Sequence, residues 1–343
     1  MDDKSPIISL ITPTFNRENE LTPLIESLSN QTIDSSLFEL IIVDDGSTDN
    51  TKSIILKHKK NISYSVNYIF QNNSGPGEAR NNGLRHSKGN LILFIDSDCE
   101  ADCRWLEIIY NEFLSNPFDS FGGPDGSKNN FSLLQKAIDF SMTSFLTTGG
   151  MRGHSKNMLS RFYPRTHNMG ITREVYEKIG GFGKLRHGQD IEYSNRIIKN
   201  KFSIRFISDA LVFHRRRTSM KLFFKQVFNW GVARINLGKI DKRMLEPIHF
   251  IPAFATIMSF MLIIASFYSY LGKYLIFLGF SLLSCASIFG SIKKGNLLIF
   301  FLLLMIIPIQ VFGYGTGFIL AFFKRFIFSQ KEFVGYSKKY YSK

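Results

Sequence analysis

The chain has 343 residues, 44% of them hydrophobic and 34 of them Phe, which excludes a disordered protein and leaves room for more than one domain. Its net charge of +14 is carried by two blocks: residues 201–243 hold 11 basic residues against Asp209 and Asp241, and residues 324–343 hold six against Glu332. Residues 1–200 are slightly acidic, with 24 acidic and 22 basic side chains. Basic blocks that flank an apolar region point to anionic lipid headgroups and away from nucleic acid. Cys99, Cys103 and Cys285 form no disulfide framework and have no partner pair at zinc spacing, so packing thiols in a reducing compartment are expected. The start, Met1-Asp2-Asp3-Lys4, lacks the pattern of a signal peptide.

In chain order, Ile7–Thr12 reads as a buried strand closed by Pro13, and Asn16–Asn30 as a helix with Leu21, Leu24, Ile25 and Leu28 on one face. Leu40–Val43 is a second buried strand, followed by a helix starting at Thr48-Asp49-Asn50. Tyr64–Phe70 is a third strand, Glu78–His86 a helix, and Leu91–Ile95 a fourth strand. Strands and helices in alternation predict a mostly parallel α/β sheet covered on both faces, with ligands outside the strand C-terminal ends. Past residue 245, Phe250–Gly272, Tyr274–Ile292 and Gly295–Phe323 are uncharged runs. Each approaches or exceeds the roughly 20 apolar residues needed to cross a bilayer. Before them, Ser219–Lys239 mixes Leu222, Phe223, Val227, Trp230 and Leu237 with Lys221, Lys225, Arg234 and Lys239, the composition of an interfacial helix along the bilayer, which an ordinary amphipathic surface helix shares.

The polar clusters fall where the sheet should bind ligands. Asp96-Ser97-Asp98 ends the fourth strand; two carboxylates one residue apart suit a hard divalent cation that also holds phosphate oxygens. Asp44-Asp45-Gly46-Ser47 ends the second, and a carboxylate there can accept a base N–H while Ser47 or Thr48 caps the next helix. Ser74-Gly75-Pro76-Gly77 opens a helix as a phosphate cradle of neither dinucleotide-binding nor Walker type, with Arg80 on its first turn. Asp190, after the glycines at 180, 181 and 188, is placed to act as a base toward a hydroxyl, and His214-Arg215-Arg216-Arg217 ends a late strand.

Together these pieces resemble family 2 glycosyltransferases of the GT-A fold. The likeness runs from Ile8 to about His214 and rests on five segments in order: residues 9–17 (SLITPTFNR), 42–49 (IVDDGSTD), 75–83 (GPGEARNNG), 93–98 (LFIDSD), and Asn168-Met-Gly-Ile followed by Gly180-Gly-Phe and Gln189-Asp190. The resemblance implies that Thr12, Phe15 and Asp44 contact the nucleoside with Asp45 beside them. It also implies that Arg80 faces the diphosphate, that Asp96 binds ribose or helps the metal, that Asp98 binds Mn²⁺ or Mg²⁺, and that Asp190 is the base. His214 matches a position where some members place a further metal ligand. One departure is that the acidic pair before the base reads Gln189-Asp190 here. The membrane half, with Gly313-Tyr-Gly-Thr-Gly317, resembles bacterial exopolysaccharide enzymes of the succinoglycan type.

The expected organisation is a catalytic domain over 1–215, a basic interfacial helix over 216–245, two or three spans over 246–323 and a basic tail over 324–343. The expected activity is transfer from a nucleotide-sugar donor, a UDP-sugar by this reading, with inversion. The acceptor would be a polyprenyl-linked glycan or polysaccharide at the cytoplasmic face of the inner membrane, with membrane lipids and no nucleic acid as further partners. A membrane-anchored nucleotidyltransferase would need a triphosphate loop that residues 9–17 lack. The nucleotide-binding domain of a transporter would carry charges in its spans, which these runs lack. Three crossings would also leave Lys324, Arg325 and the tail outside, against the positive-inside tendency, unless the third run with Pro308 re-enters.

Overall fold

The computed structural model describes residues 6–128, 131–149 and 161–336; Met1–Lys4 and the last seven residues of the basic tail lie outside that range. The described elements run β1 (Ile8–Thr14), α1 (Leu21–Ser29), β2 (Phe38–Asp44), α2 (Thr51–Lys59), β3 (Ser65–Phe70), α3 (Pro76–His86) and β4 (Leu91–Phe94). They continue through β5 (Cys99–Ala101), α4 (Trp105–Ser115), β6 (Ser120–Gly122), β7 (Asp125–Gly126), α5 (Leu133–Thr143), α6 (Phe145–Thr148), β8 (Met169–Thr172), α7 (Arg173–Ile179), α8 (Gln189–Lys199), β9 (Ile204–Phe206) and β10 (Val212–His214). Four long helices close the chain: α9 (Met220–Ile240), α10 (Ile251–Ser266), α11 (Tyr270–Lys293) and α12 (Leu298–Phe322).

The main sheet has the order β3-β2-β1-β4-β8-β6-β9. β1 to β4 are parallel, as the apolar runs predict; β8 lies antiparallel between β4 and β6. β2 is buried at every position, as expected for a strand covered by helices on both faces. A second sheet, β5-β10-β7, stands beside it. The helix expected from Asn16 starts only at Leu21. Asn16 adopts a left-handed φ of 51° and accepts the Thr48 amide, while the Arg17 amide donates to Thr51 Oγ1. These polar residues thus stitch the β1 and β2 end loops together instead of extending a helix. Cys99 is buried as a packing thiol should be, but Cys103 and Cys285 are exposed.

Three helices are long and apolar enough to cross a membrane, spanning Pro247–Ser266, Tyr270–Lys293 and Leu298–Ile327. α9 packs against protein along much of its length. Phe223 and Val227 pack with Ile299, Leu303, Ile306 and the α5 core, and Phe228, Val232 and Ile235 pack with Phe318 and Ala321. Glycines make the approach possible: a Cβ on Gly231 would run into the Tyr314 carbonyl, and one on Gly317 into that of Phe228. α10 and α11 form a hairpin whose tip, at Phe267, Tyr268 and Tyr270, is about 79–88% exposed.

Candidate active site

The C-terminal ends of β1, β2 and β4 open onto a cavity of about 880 Å³. Its wall includes Phe15, Arg17, Asp45, Arg80, Asp96, Asp98, Asp190 and His214, and it extends to side chains of α9, α10 and α12. Most of the expected site residues therefore meet in one place.

Thr12 and Asp44 do not. Thr12 is fully buried within β1, and Pro13, Thr14 and Phe15 line the cavity in its place. Asp44 closes the turn behind Gly46 (φ 85°), accepting the Ser47 amide and the Tyr68 hydroxyl, both at 2.8 Å. Asp45 anchors the glycine loop by accepting from the amides of Ser74 and Gly75 and from Gln71 Nε2, all at 2.8 Å. Gly75, at φ 93°, turns the chain into α3 without a side-chain cap. Arg80 projects from that helix to Asp96 Oδ1 at 2.7 Å, its guanidinium 5.6 Å from the Phe182 ring centre.

Asp98 and His214 are 116 residues apart, and strand pairing explains their meeting. β10 runs antiparallel to β5 with His214 opposite Cys99, which puts His214 Nε2 3.4 Å from Asp98 Oδ1. Arg17 stands 3.8 Å from the other oxygen. Burial would raise the Asp98 pKa, but His214, Arg17 and Arg217 outweigh it and hold the carboxyl below its usual range. Burial likewise opposes the charged imidazolium of His214, yet Asp98 and Asp125 lift its pKa to about 9. Asp98, Cys99 and His214 offer ligand atoms within 4.8 Å of one another, as do Asp125, His167 and His214. In the first group, burial and the neighbouring carboxylates push the Cys99 thiol up, so it stays protonated. The donor set that remains, a carboxylate and an imidazole whose proton a bound metal would displace, fits Mn²⁺ or Mg²⁺ completed by phosphate oxygens.

Sequence reasoning missed the support behind His214. His214 Nδ1 lies 3.6 Å from Asp125, and His167 lies 3.6 Å from its other oxygen. Arg216 bonds Asp125 and also Asp139, at 2.7 Å, and Lys294 at the end of α11 reaches Asp139 at 2.7 Å. The three consecutive arginines thus divide: Arg215 is exposed, Arg216 is buried in this ion network, and Arg217 lines the cavity. Only the carboxylates' long-range partners mark them, so no local pattern could have singled out Asp125 or Asp139.

Asp190 sits in the first turn of α8, and its N-cap is Gly188 in a left-handed conformation, with no side-chain cap bond. Its carboxylate, about 20% exposed, lies 3.4 Å from Arg165. Glu192 is committed to Arg196 at 2.7 Å. Gln189, which stands where an acid was expected, covers the first turn of α3: a Cβ on Gly77 would collide with it.

Residues 9–180 match the profile of glycosyl transferase family 2. The chain is 38% identical over 254 residues to a protein named as glycosyltransferase EpsH of Bacillus subtilis, covering 67% of each. It is 26% identical over 247 residues to glycosyltransferase AglE of Haloferax volcanii, covering 72% of this chain and 79% of AglE. To the poly(ribitol-phosphate) β-N-acetylglucosaminyltransferase TarS of Staphylococcus aureus it is 40% identical over 90 residues, only 16% of that protein. In fold it is similar to the mannosyltransferase PcManGT of Pyrobaculum calidifontis, solved with GDP-Man and Mn²⁺. That likeness has a TM-score of 0.66 at 15% identity and covers 96% of this chain and 90% of that one. With this fold, this sequence match and these motifs around one cavity, the chain belongs to glycosyl transferase family 2 and moves sugar from a nucleotide-sugar donor.

Proposed function

We propose that the enzyme uses a UDP-sugar and a divalent cation, and glycosylates a lipid-linked or polysaccharide acceptor with inversion at the cytoplasmic membrane face. The observation that carries this reading is the single cavity that joins Asp98 and His214 to Asp190 and then to the membrane helices. Phe15 and Asp45 line the part next to the glycine loop, where a nucleoside would lie, and Arg80 with Asp96 the part where its ribose and diphosphate would lie. The buried Thr12 and Asp44 would act from behind that wall. Asp98 and His214, with Asp96 beside them, would hold Mn²⁺ or Mg²⁺, which supplies positive charge toward a leaving diphosphate. Arg17 and Arg217 add fixed positive charge at the same place. Asp190 takes the proton of the acceptor hydroxyl as its oxygen attacks the anomeric carbon from the face opposite the diphosphate, and Arg165 orients that carboxylate.

The purified full chain, incubated with radiolabelled UDP-sugars and a lipid extract, is expected to transfer sugar in Mn²⁺ or Mg²⁺ and to stop in EDTA, with the anomeric configuration of the product inverted by NMR. Transfer that is indifferent to EDTA would remove the metal from the reading; preference for GDP-sugars would remove UDP.

In the membrane, the proposed arrangement is an inserted α10–α11 hairpin with α12 lying along the surface. It is supported at both ends of α12. Lys294, just before it, pairs with Asp139 of the catalytic domain. Just after it, Glu332 accepts the Arg186 amide and the carbonyls of Phe333 and Tyr336 accept from Asn236 and Asn229. A helix of 25 residues, at most about 37 Å long, with both ends on one domain does not cross a bilayer away from it. A tag after Lys343 should therefore resist protease in sealed right-side-out cells and be cut in inverted vesicles; the reverse pattern would restore three crossings.

A further inference from the structure

Beyond Asp190 the cavity wall turns strongly basic. Arg165, Lys225 and Arg234 line it together with His249. Arg234 is about nine-tenths buried, and its hydrogen bond is to a neutral carbonyl, that of Met244 at 3.1 Å. Among the described residues no carboxylate lies within ion-pair distance of Arg234 or Lys225, whereas the buried Arg80 and Arg216 are each neutralised. Arg165 shares Asp190 with the proposed reaction, and its buried Nε has no hydrogen-bond partner. Burial, and then the Arg165 charge, push the Arg234 pKa below its ordinary value. His249 Nδ1 accepts the Glu246 amide, which leaves the ring proton on Nε2 as a further donor. A buried cation that has Glu246 nearby but no described carboxylate in ion-pair distance, beside an orphaned donor, is costly unless an anion completes it. The cavity wall also includes Ile248, Pro252 and Val311, side chains suited to an alkyl or prenyl chain.

We propose that Arg165 and Arg234, with His249 beside them, form a phosphate-binding subsite, distinct from the donor diphosphate site, that holds the phosphate of a lipid-linked acceptor. Its lipid part rests on the acceptor reading above; the anion subsite itself does not. The guanidinium forks match phosphate oxygens, and Arg165, 3.4 Å from Asp190, sets that phosphate beside the base.

The test is binding to the full-length protein in neutral detergent, read by the fluorescence of Trp230, which lines the cavity, while Trp105 is fully buried in the core. Farnesyl phosphate should bind saturably and farnesol far more weakly. Arg234→Gln and Arg165→Gln should each weaken farnesyl phosphate about ten-fold or more, with UDP affinity unchanged as the control for folding. Should Arg234→Gln lose UDP as well, Arg165→Gln decides alone. Inorganic phosphate that binds as tightly as farnesyl phosphate, with the same dependence on the arginines, keeps the anion subsite and overturns the lipid source. Farnesol equal to farnesyl phosphate, or wild-type affinity in Arg165→Gln, overturns the subsite. Because the readout is binding, a failure of UDP-sugar transfer would strike the proposed function and leave this result standing.

Discussion

Asp190→Asn is expected to lower turnover by roughly 10²–10⁴-fold, the usual loss when a general base is removed, with donor affinity held within a few-fold. Asparagine keeps the shape and can still bond Arg165, but it cannot accept the acceptor's proton. The competing explanation, a helix cap for which Asn serves about as well as Asp, predicts near-wild-type turnover instead; Gly188 is the N-cap, and the helix amide that Asp190 does accept, that of Ile191 at 2.9 Å, is a bond Asn would keep. The other acid of this turn, Glu192, is held by Arg196 through both oxygens at 2.7 and 3.1 Å, so it offers no ready substitute. Steady-state transfer with a defined UDP-sugar, paired with UDP binding, reads both quantities. Wild-type turnover with intact donor binding would retire Asp190 as the base.

The second large effect is on stability. Arg216→Gln should cost about 3–5 kcal/mol, because it removes the cation shared by two buried carboxylates from a compensated network. Asp125 and Asp139 are 2% and 3% exposed, and Lys294 can offset only Asp139, whose pKa Arg216 and Lys294 together hold down against burial. The variant should unfold at a clearly lower temperature in detergent than Arg215→Gln, whose side chain is exposed and whose change should be nearly silent. Equal melting of the two variants would show that the network carries no stability. Because Asp125 also touches His214 and His167, an Arg216→Gln protein that remains folded should bind Mn²⁺ less well.

The sequence by itself determined what depends on local chemistry. Continuous apolar runs specified β1, β2 and β4 as parallel strands covered on both faces, and carboxylates and glycines at their ends marked the cavity. Three uncharged stretches became α10, α11 and α12, because no polar face interrupts them. Tertiary structure decided whatever depended on partners distant in the chain. Pairing of His214 with Cys99 carried the histidine to Asp98. Packing buried Arg216 between carboxylates 91 and 77 residues away and exposed its neighbour Arg215. Thr12 and Asp44 were drawn under the cavity wall because side chains on a buried strand alternate between faces, and a motif does not record which face is covered. α9 has the composition of a membrane-surface helix, yet glycines at 231, 313 and 317 let the backbones of α9 and α12 come together. Its apolar side chains therefore found protein, since close packing satisfies them as well as lipid does.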